Sequence, residues 1–196
     1  MTKMAYVRSE VEAAFAAIAQ RPDDKAPFPV GRNLAEDLGY PPSLLDMLPV
    51  ACVEAFCGVS NVSLFAEIPL GSTVLDLGCG AGLDTLIAAK RTGDSGRVLA
   101  VDYSKAMLDR AAGSIAESLA SNVELILSDA ESLPLADKSV DVAIVNGIFN
   151  LNPDRGAMLI ELARVVRKGG ALFAAELVLT AELSPAERAS KSNWFS

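Results

Sequence analysis

The chain has 196 residues, 51% of them apolar, and a mean hydropathy of +0.32. That suffices for one domain plus an extension and argues against global disorder. Its formal charge of −8 excludes a protein that holds nucleic acid by neutralising phosphates. Asn146, Asn150, Asp154, Arg155, Arg164 and Arg167 interrupt the longest apolar region before it could cross a bilayer. Three cysteines without a C-x-x-C pair, and no histidine, argue against a disulfide framework or a zinc site. Without histidine the usual general base is missing, so any catalysis rests on carboxylates, thiols, tyrosines, amides or positioning. The amino terminus lacks the apolar core of a secretory signal, so a cytoplasmic protein with no membrane partner is expected.

In chain order, Val7, Val11, Phe15 and Ile18 recur at helical spacing and predict an amphipathic helix to about Gln20. A proline-rich charged loop follows through Gly31. Asn33 is expected to cap a short helix that Gly39 closes; Pro42 opens another, and Val50 to Phe56 a third. Residues 1–70 thus read as a helical extension without strands, folding as a lid over whatever follows.

Beyond Gly71 strands and helices alternate. Ser72–Leu77, Arg97–Asp102, Asn122–Ser128, Val140–Asn146 and Ala171–Leu179 read as strands. Thr85–Lys90, a segment capped by Ser104 and running to about Leu119, and Arg155–Val166 read as helices. Strands apolar on both faces, alternating with helices, predict an α/β fold: a doubly wound, mostly parallel sheet with helices on both faces, spanning 71–180. Residues 181–196 are left as a carboxyl-terminal helix or tail.

The most informative stretch is Asp76-Leu77-Gly78-Cys79-Gly80-Ala81-Gly82, at the junction of first strand and first sheet helix. Its glycines permit positive φ and leave the main chain open to a ligand, while the helix behind directs unpaired N–H groups at it. The spacing departs from the G-x-G-x-x-G of dinucleotide-binding loops. Ligands of such sheets bind past the carboxyl ends of the strands. There the second strand ends in Asp102, placed to accept from a ribose diol; the third in Asp129, placed to accept from an adenine amino group; the fourth in Asn146 and Gly147. Singly, each reads as a helix-start or turn residue. On successive strand ends they point to one ligand.

Together with Val101-Asp102-Tyr103-Ser104, Met107-Leu108, Ser128-Asp129-Ala130-Glu131 and Val166-Arg167-Lys168-Gly169-Gly170, this stretch resembles the successive motifs of class I S-adenosylmethionine-dependent methyltransferases. The resemblance covers residues 70–180 and implies a Rossmann-like sheet, S-adenosylmethionine as cofactor and a small-molecule acceptor. It places Asp76, Gly78 and Gly80 at the methionine end, Asp102 on the ribose, Tyr103 and Ala130 on the faces of the adenine, and Asp129 on its amino group, with Cys79 and Met107 also among the cofactor-binding residues. Asn146 and Gly147 would lie under the sulfonium methyl.

Glu54 to Asn61 and Val145 to Asp154 are similar to the arsenite methyltransferase branch, although Gly147 stands where those enzymes carry a thiol, leaving only Cys52, Cys57 and Cys79. A cofactor-binding subunit without turnover and a nicotinamide-dependent oxidoreductase are the competing readings. Tyr6, Tyr40 and Asn146 are the candidates near the reacting methyl. Glu176, an acid amid apolar residues, is expected either to face the crevice or to pair with a base. Because 17 residues remain after Leu179, the last strand is expected to be an open apolar edge. That edge suggests a homodimer or a longer parent protein, with Trp194 and Phe195 as packing anchors, unless a helix from Pro185 covers it.

Overall fold

The computed structural model describes residues 3–22, 26, 28–180 and 182, with the side chains of residues 3–8 outside that description. Expectations for Tyr6, for a helix from Pro185, and for Trp194 and Phe195 therefore lie outside the described residues.

Five helices come first: α1 (Lys3–Gln20), α2 (Gly31–Asp37), α3 (Pro42–Leu45), α4 (Val50–Glu54) and α5 (Val62–Phe65). Asn33 caps nothing. Gly31, with φ +84, donates to Phe56 O at 2.7 Å and its missing side chain would meet Glu54 O at 3.0 Å, so contact with the end of α4 starts the helix early, with Val30 at its N-cap. Gly39 closes α2 as expected: at φ +90 it donates to Glu36 O, and Tyr40 N to Ala35 O at 3.0 Å, which satisfies two terminal carbonyls.

The sheet strands are β1 (Thr73–Leu77), β2 (Arg97–Asp102), β3 (Val123–Leu127), β4 (Val140–Asn146) and β5 (Val166–Ala175), all parallel in the order β3-β2-β1-β4-β5. Connecting them are α6 (Leu83–Thr92), α7 (Lys105–Ser118) and α8 (Arg155–Val165). Val74, Val98, Val142 and Ile144 pack beneath α5 and α6, whereas Leu75, Leu77, Leu99, Val101 and Val145 bury against Met158 and Leu162 of α8. The sheet is thus covered on both faces. The chain leaves β1 to one side through β2 and β3, then crosses to β4 on the other. That reversal opens a crevice at the carboxyl ends of β1 and β4.

The last strand departs from expectation at both ends. It starts at Val166, straight out of α8, and bulges over Arg167–Gly170, with Gly169 at φ +76, before resuming register at Ala171. It ends at Ala175, so Leu177, Val178 and Leu179 lie beyond the sheet and are exposed.

The helical extension sits against α6 and α7, sharing one core with them: Ile18, Tyr40, Leu45, Cys52 and Phe56 pack with Leu83, Ile87 and Met107. Arg110 of α7 staples it. Its guanidinium donates to Ala19 O at the end of α1 (3.0 Å), to Ala51 O in α4 (2.7 Å) and to Glu54 Oε2 (2.9 Å). Carbonyls that end a helix lack intrahelical partners, and here one cation supplies them.

Candidate active site

At the end of β1 the chain turns through three residues of positive φ: Gly78 (+80), Gly80 (+52) and Gly82 (+92). Gly78 N and Cys79 N both donate to Val101 O, tying the turn to β2. Gly80 N donates to Asp102 Oδ2 at 2.9 Å, while Asp102 Oδ1 accepts from Ser104 N at 2.8 Å. The carboxylate at the end of β2 thereby fixes the glycine turn on one side and the start of α7 on the other. A side chain at Gly78 would strike Ile148 Cγ2 at 2.4 Å, yet one at Gly80 would meet nothing within 4 Å. The main chain at Gly80 therefore lies bare to a cleft.

That cleft lies past the carboxyl ends of the strands and is open at its mouth. Asp76, Gly78, Cys79, Gly80, Asp102, Tyr103, Asp129, Ala130, Asn146 and Gly147 all line it. Met107 does not: it is fully buried in the core that α7 shares with the extension, because its position in the first turn of α7 faces the helices packed above rather than the strand ends. The extension supplies a further wall with Val11, Phe15, Cys52, Ala55, Phe56 and Cys57.

The ionisable groups share one sign. Asp76, Asp84, Asp102 and Asp129 line the cleft with no lysine or arginine among the described residues there. Burial pushes the Asp76 carboxyl up to about 8; the neighbouring charges of Asp84 and Asp102 add to this, against the hydrogen bond from Thr85 Oγ1 to Asp76 Oδ2 (2.5 Å). Burial also raises Asp102, opposed by its backbone donors, and Asp84, opposed by Ser63, Tyr40 and Asn146.

Asp84, in the first turn of α6, was not singled out from sequence. Its carboxylate accepts from Tyr40 Oη (2.5 Å) and Ser63 Oγ on one oxygen and from Asn146 Nδ2 (2.8 Å) on the other. Asn146 is fully engaged as well: Oδ1 accepts from Val59 N (2.9 Å) and Ser60 N (3.1 Å), and Nδ2 also donates to Ser60 O (2.7 Å). The segment Gly58–Ser60 is thus latched to the end of β4. A side chain at Gly58 would lie 2.5 Å from Asn146 Nδ2, which explains the glycine.

These bonds revise three expectations. Tyr40 lies near the β4 end but behind it, fully buried, its hydroxyl committed to Asp84; burial and the Asp84 charge push its pKa up, so it is a donor and no base. The Asn146 amide has no hydrogen-bonding capacity left for a substrate. Glu176 neither lines the cleft nor pairs with a base: it accepts from Asn150 N (2.9 Å) and Leu177 N (2.8 Å) and holds the loop after β4.

All three cysteines are free and border the cleft. Burial pushes Cys52 and Cys57 up to about 12 and raises Cys79, so the thiols stay protonated at neutral pH. Among the described residues no three His, Cys, Asp or Glu side chains stand where a metal ion could be held.

A parallel sheet in this order, with a glycine turn, an acid at the end of β2 and a further acid at the end of β3, defines a class I S-adenosylmethionine-dependent methyltransferase fold. The methyltransferase domain family matches residues 70–195, and the chain belongs to it. Among its relatives are an arsenite methyltransferase of Halobacterium salinarum, 40% identical over 124 residues (63% of this chain and 32% of that protein), and a demethylmenaquinone methyltransferase of Bacillus licheniformis, 40% identical over 114 residues (56% and 47%). The crystal structure of an arsenic(III) S-adenosylmethionine methyltransferase from Chlamydomonas reinhardtii superposes with a TM-score of 0.69 at 32% identity, over 77% of this chain and 54% of that one. The chain spans about a third to a half of the length of these relatives.

Proposed function

We propose that the chain binds S-adenosylmethionine at the β1/β4 crevice and carries out methyl transfer to a small molecule. The observation that carries this is the bare main chain at Gly80, where a side chain would project into open space, held 2.9 Å from the carboxylate of Asp102. A nucleoside ligand needs a turn it can approach closely and an acid for its sugar hydroxyls, and both are built here. In this reading Asp76 faces the methionine ammonium, Asp102 the ribose, and Asp129 the adenine amino group, with Tyr103 and Ala130 beside the ring. When bound, the cofactor supplies a methyl already activated on a sulfonium. The protein then has to orient the acceptor and keep out water, which needs neither metal nor histidine.

Val11, Phe15 and Phe56 wall the crevice, and we read the extension as a lid whose closed position the Asn146 and Arg110 contacts define. Three unpaired cysteines suit a reducing cytoplasm, and no helix among the described residues is long and apolar enough to cross a membrane. Self-association through the open β5 edge belongs to the same proposal.

An arsenic(III) acceptor is the second reading, favoured by three thiols around one cleft; against it stand their protonated state and the absence, among the described residues, of a converging cluster. Thermal-shift measurements with S-adenosylmethionine and with NADH test the cofactor: a rise in Tm with the first alone supports the proposal, and a rise with NADH alone overturns it. Binding without transfer to any acceptor would mark a cofactor-binding subunit.

A further inference from the structure

We infer that the methyl acceptor is an uncharged, apolar thiol. The inference rests on the methyl-transfer reading above and deepens it by naming the acceptor.

Shape and polarity come first. Facing the glycine turn are Val11, Phe15 and Phe56 from the extension and Ile148, Leu151 and Pro153 from the segment after β4. The two phenylalanines are braced from behind, Phe56 by the ring of Tyr40 at 5.2 Å and Phe15 by that of Phe28 at 5.7 Å. A greasy wall of fixed rings suits an aryl or alkyl group.

Charge narrows the choice. Every charged side chain of the described lining is an aspartate, and the whole chain carries −8. Among the described side chains, the arginines of α2, α6 and α7 are spent elsewhere: Arg110 on Ala19, Ala51 and Glu54, Arg91 on the carbonyls of Ser63 and Leu64, Arg32 on Glu36 and Asp46. A carboxylate or phosphate on the acceptor would be buried beside like charges with no counter-ion among the described side chains, which is strongly unfavourable.

The reacting atom follows from what the cleft cannot supply. An alcohol or phenol must lose its proton to a base as it is methylated. Asp84 already accepts three hydrogen bonds, Asn146 makes four, and Tyr40 is a donor. Asp76, Asp102 and Asp129 stand at the ends of β1, β2 and β3, on the cofactor side of the cleft. A thiol needs no base within reach, because a few per cent is thiolate at neutral pH and its proton leaves to water at the open mouth.

The test, run at pH 8, titrates phenylmethanethiol, 4-(sulfanylmethyl)benzoate and 4-methylphenol into the protein saturated with S-adenosylhomocysteine, and separately follows radiolabelled methyl transfer to each. The neutral thiol should bind and be methylated. Its carboxylated counterpart should bind at least about tenfold more weakly, and the phenol should bind without being methylated. Leu151→Arg, which gives the wall a cation, should shift the preference towards the carboxylated thiol. The inference is overturned if the carboxylated thiol binds as well as the neutral one to the unaltered chain, if the phenol is methylated comparably, if arsenite is methylated and no thiol is, or if L151R does not shift the preference. Failure of the underlying reading looks different: S-adenosylhomocysteine itself does not bind.

Discussion

Asn146 Nδ2 lies 2.8 Å from Asp84 Oδ2, joining the end of β4 to the first turn of α6 across the floor of the crevice. Through Val59 and Ser60 the same amide reaches the extension, so one side chain ties extension, sheet and α6 together. Asn146→Ala leaves the Val59 and Ser60 amides and Asp84 short of partners, and should cost about 1–3 kcal/mol in chemical denaturation. The segment Gly58–Asn61 should gain amide exchange while the β1 and β2 amides stay protected.

Tyr40→Phe removes a donor from a buried carboxylate without opening a cavity. A loss of about 1–3 kcal/mol is expected, larger at pH 8 than at pH 5, where Asp84 binds a proton more readily because burial raises its pKa. Denaturation curves at the two pH values measure it. An equal loss at both would mean that Asp84 does not titrate in this range.

In the proposed placement of the cofactor, the raised carboxyl of Asp76 is expected to make binding pH-dependent. Below about 8 it is mostly neutral, and a cationic ammonium placed beside it favours the ionised form. Affinity for S-adenosylmethionine should therefore rise from pH 6 to about pH 8, above which the ligand's own ammonium loses its charge, with release of a proton on binding visible as different heats in buffers of different ionisation enthalpy. Stability of the free protein should run the other way. The folded state holds a proton at Asp76 that the unfolded chain gives up near its ordinary 3.8, so Asp76 lowers stability progressively from that pH to about 8. Asp76→Asn should flatten both dependences.

The glycines of the turn should separate. Gly78→Ala drives a methyl into Ile148, 2.4 Å away, and should destabilise the fold, with partial rescue by Ile148→Ala. Gly80→Ala meets nothing within 4 Å, its methyl projecting into the empty cleft, and should cost only about 1 kcal/mol of stability while weakening the cofactor well beyond that. Melting and binding measured on both variants check the contrast.

Among the described residues nothing pairs with the outer edge of β5, where Leu172 is exposed and Leu177, Val178 and Leu179 lie just beyond. Light scattering should show a dimer that Leu172→Lys weakens. A monomer at all concentrations would remove β5 pairing from the account.

Much of this was legible in the residues, because long two-sided apolar strands and a glycine turn act locally. The strands β1 to β4 and the Ser104 cap, whose hydroxyl accepts from Met107 N, stand at or within a residue of their expected places, and Asp76, Asp102 and Asp129 border one cleft. What escaped depends on contacts remote in sequence. Asn33 caps nothing because Gly31 meets the end of α4; Met107 is core because α7 carries the extension on its back. Tyr40 is a structural donor because Asp84, an inconspicuous acid behind three glycines, waits beneath it. The early start of β5 was hidden by its double glycine, which reads as a turn and folds as a bulge within the strand.

The most direct test is calorimetry of S-adenosylhomocysteine binding to the folded chain and to its Asp102→Ala variant. One site is predicted, weakened at least about tenfold by loss of the carboxylate, with the variant still melting cooperatively. No heat with the unaltered chain, or equal affinity in the variant, would contradict the placement of the cofactor at the Gly80 turn.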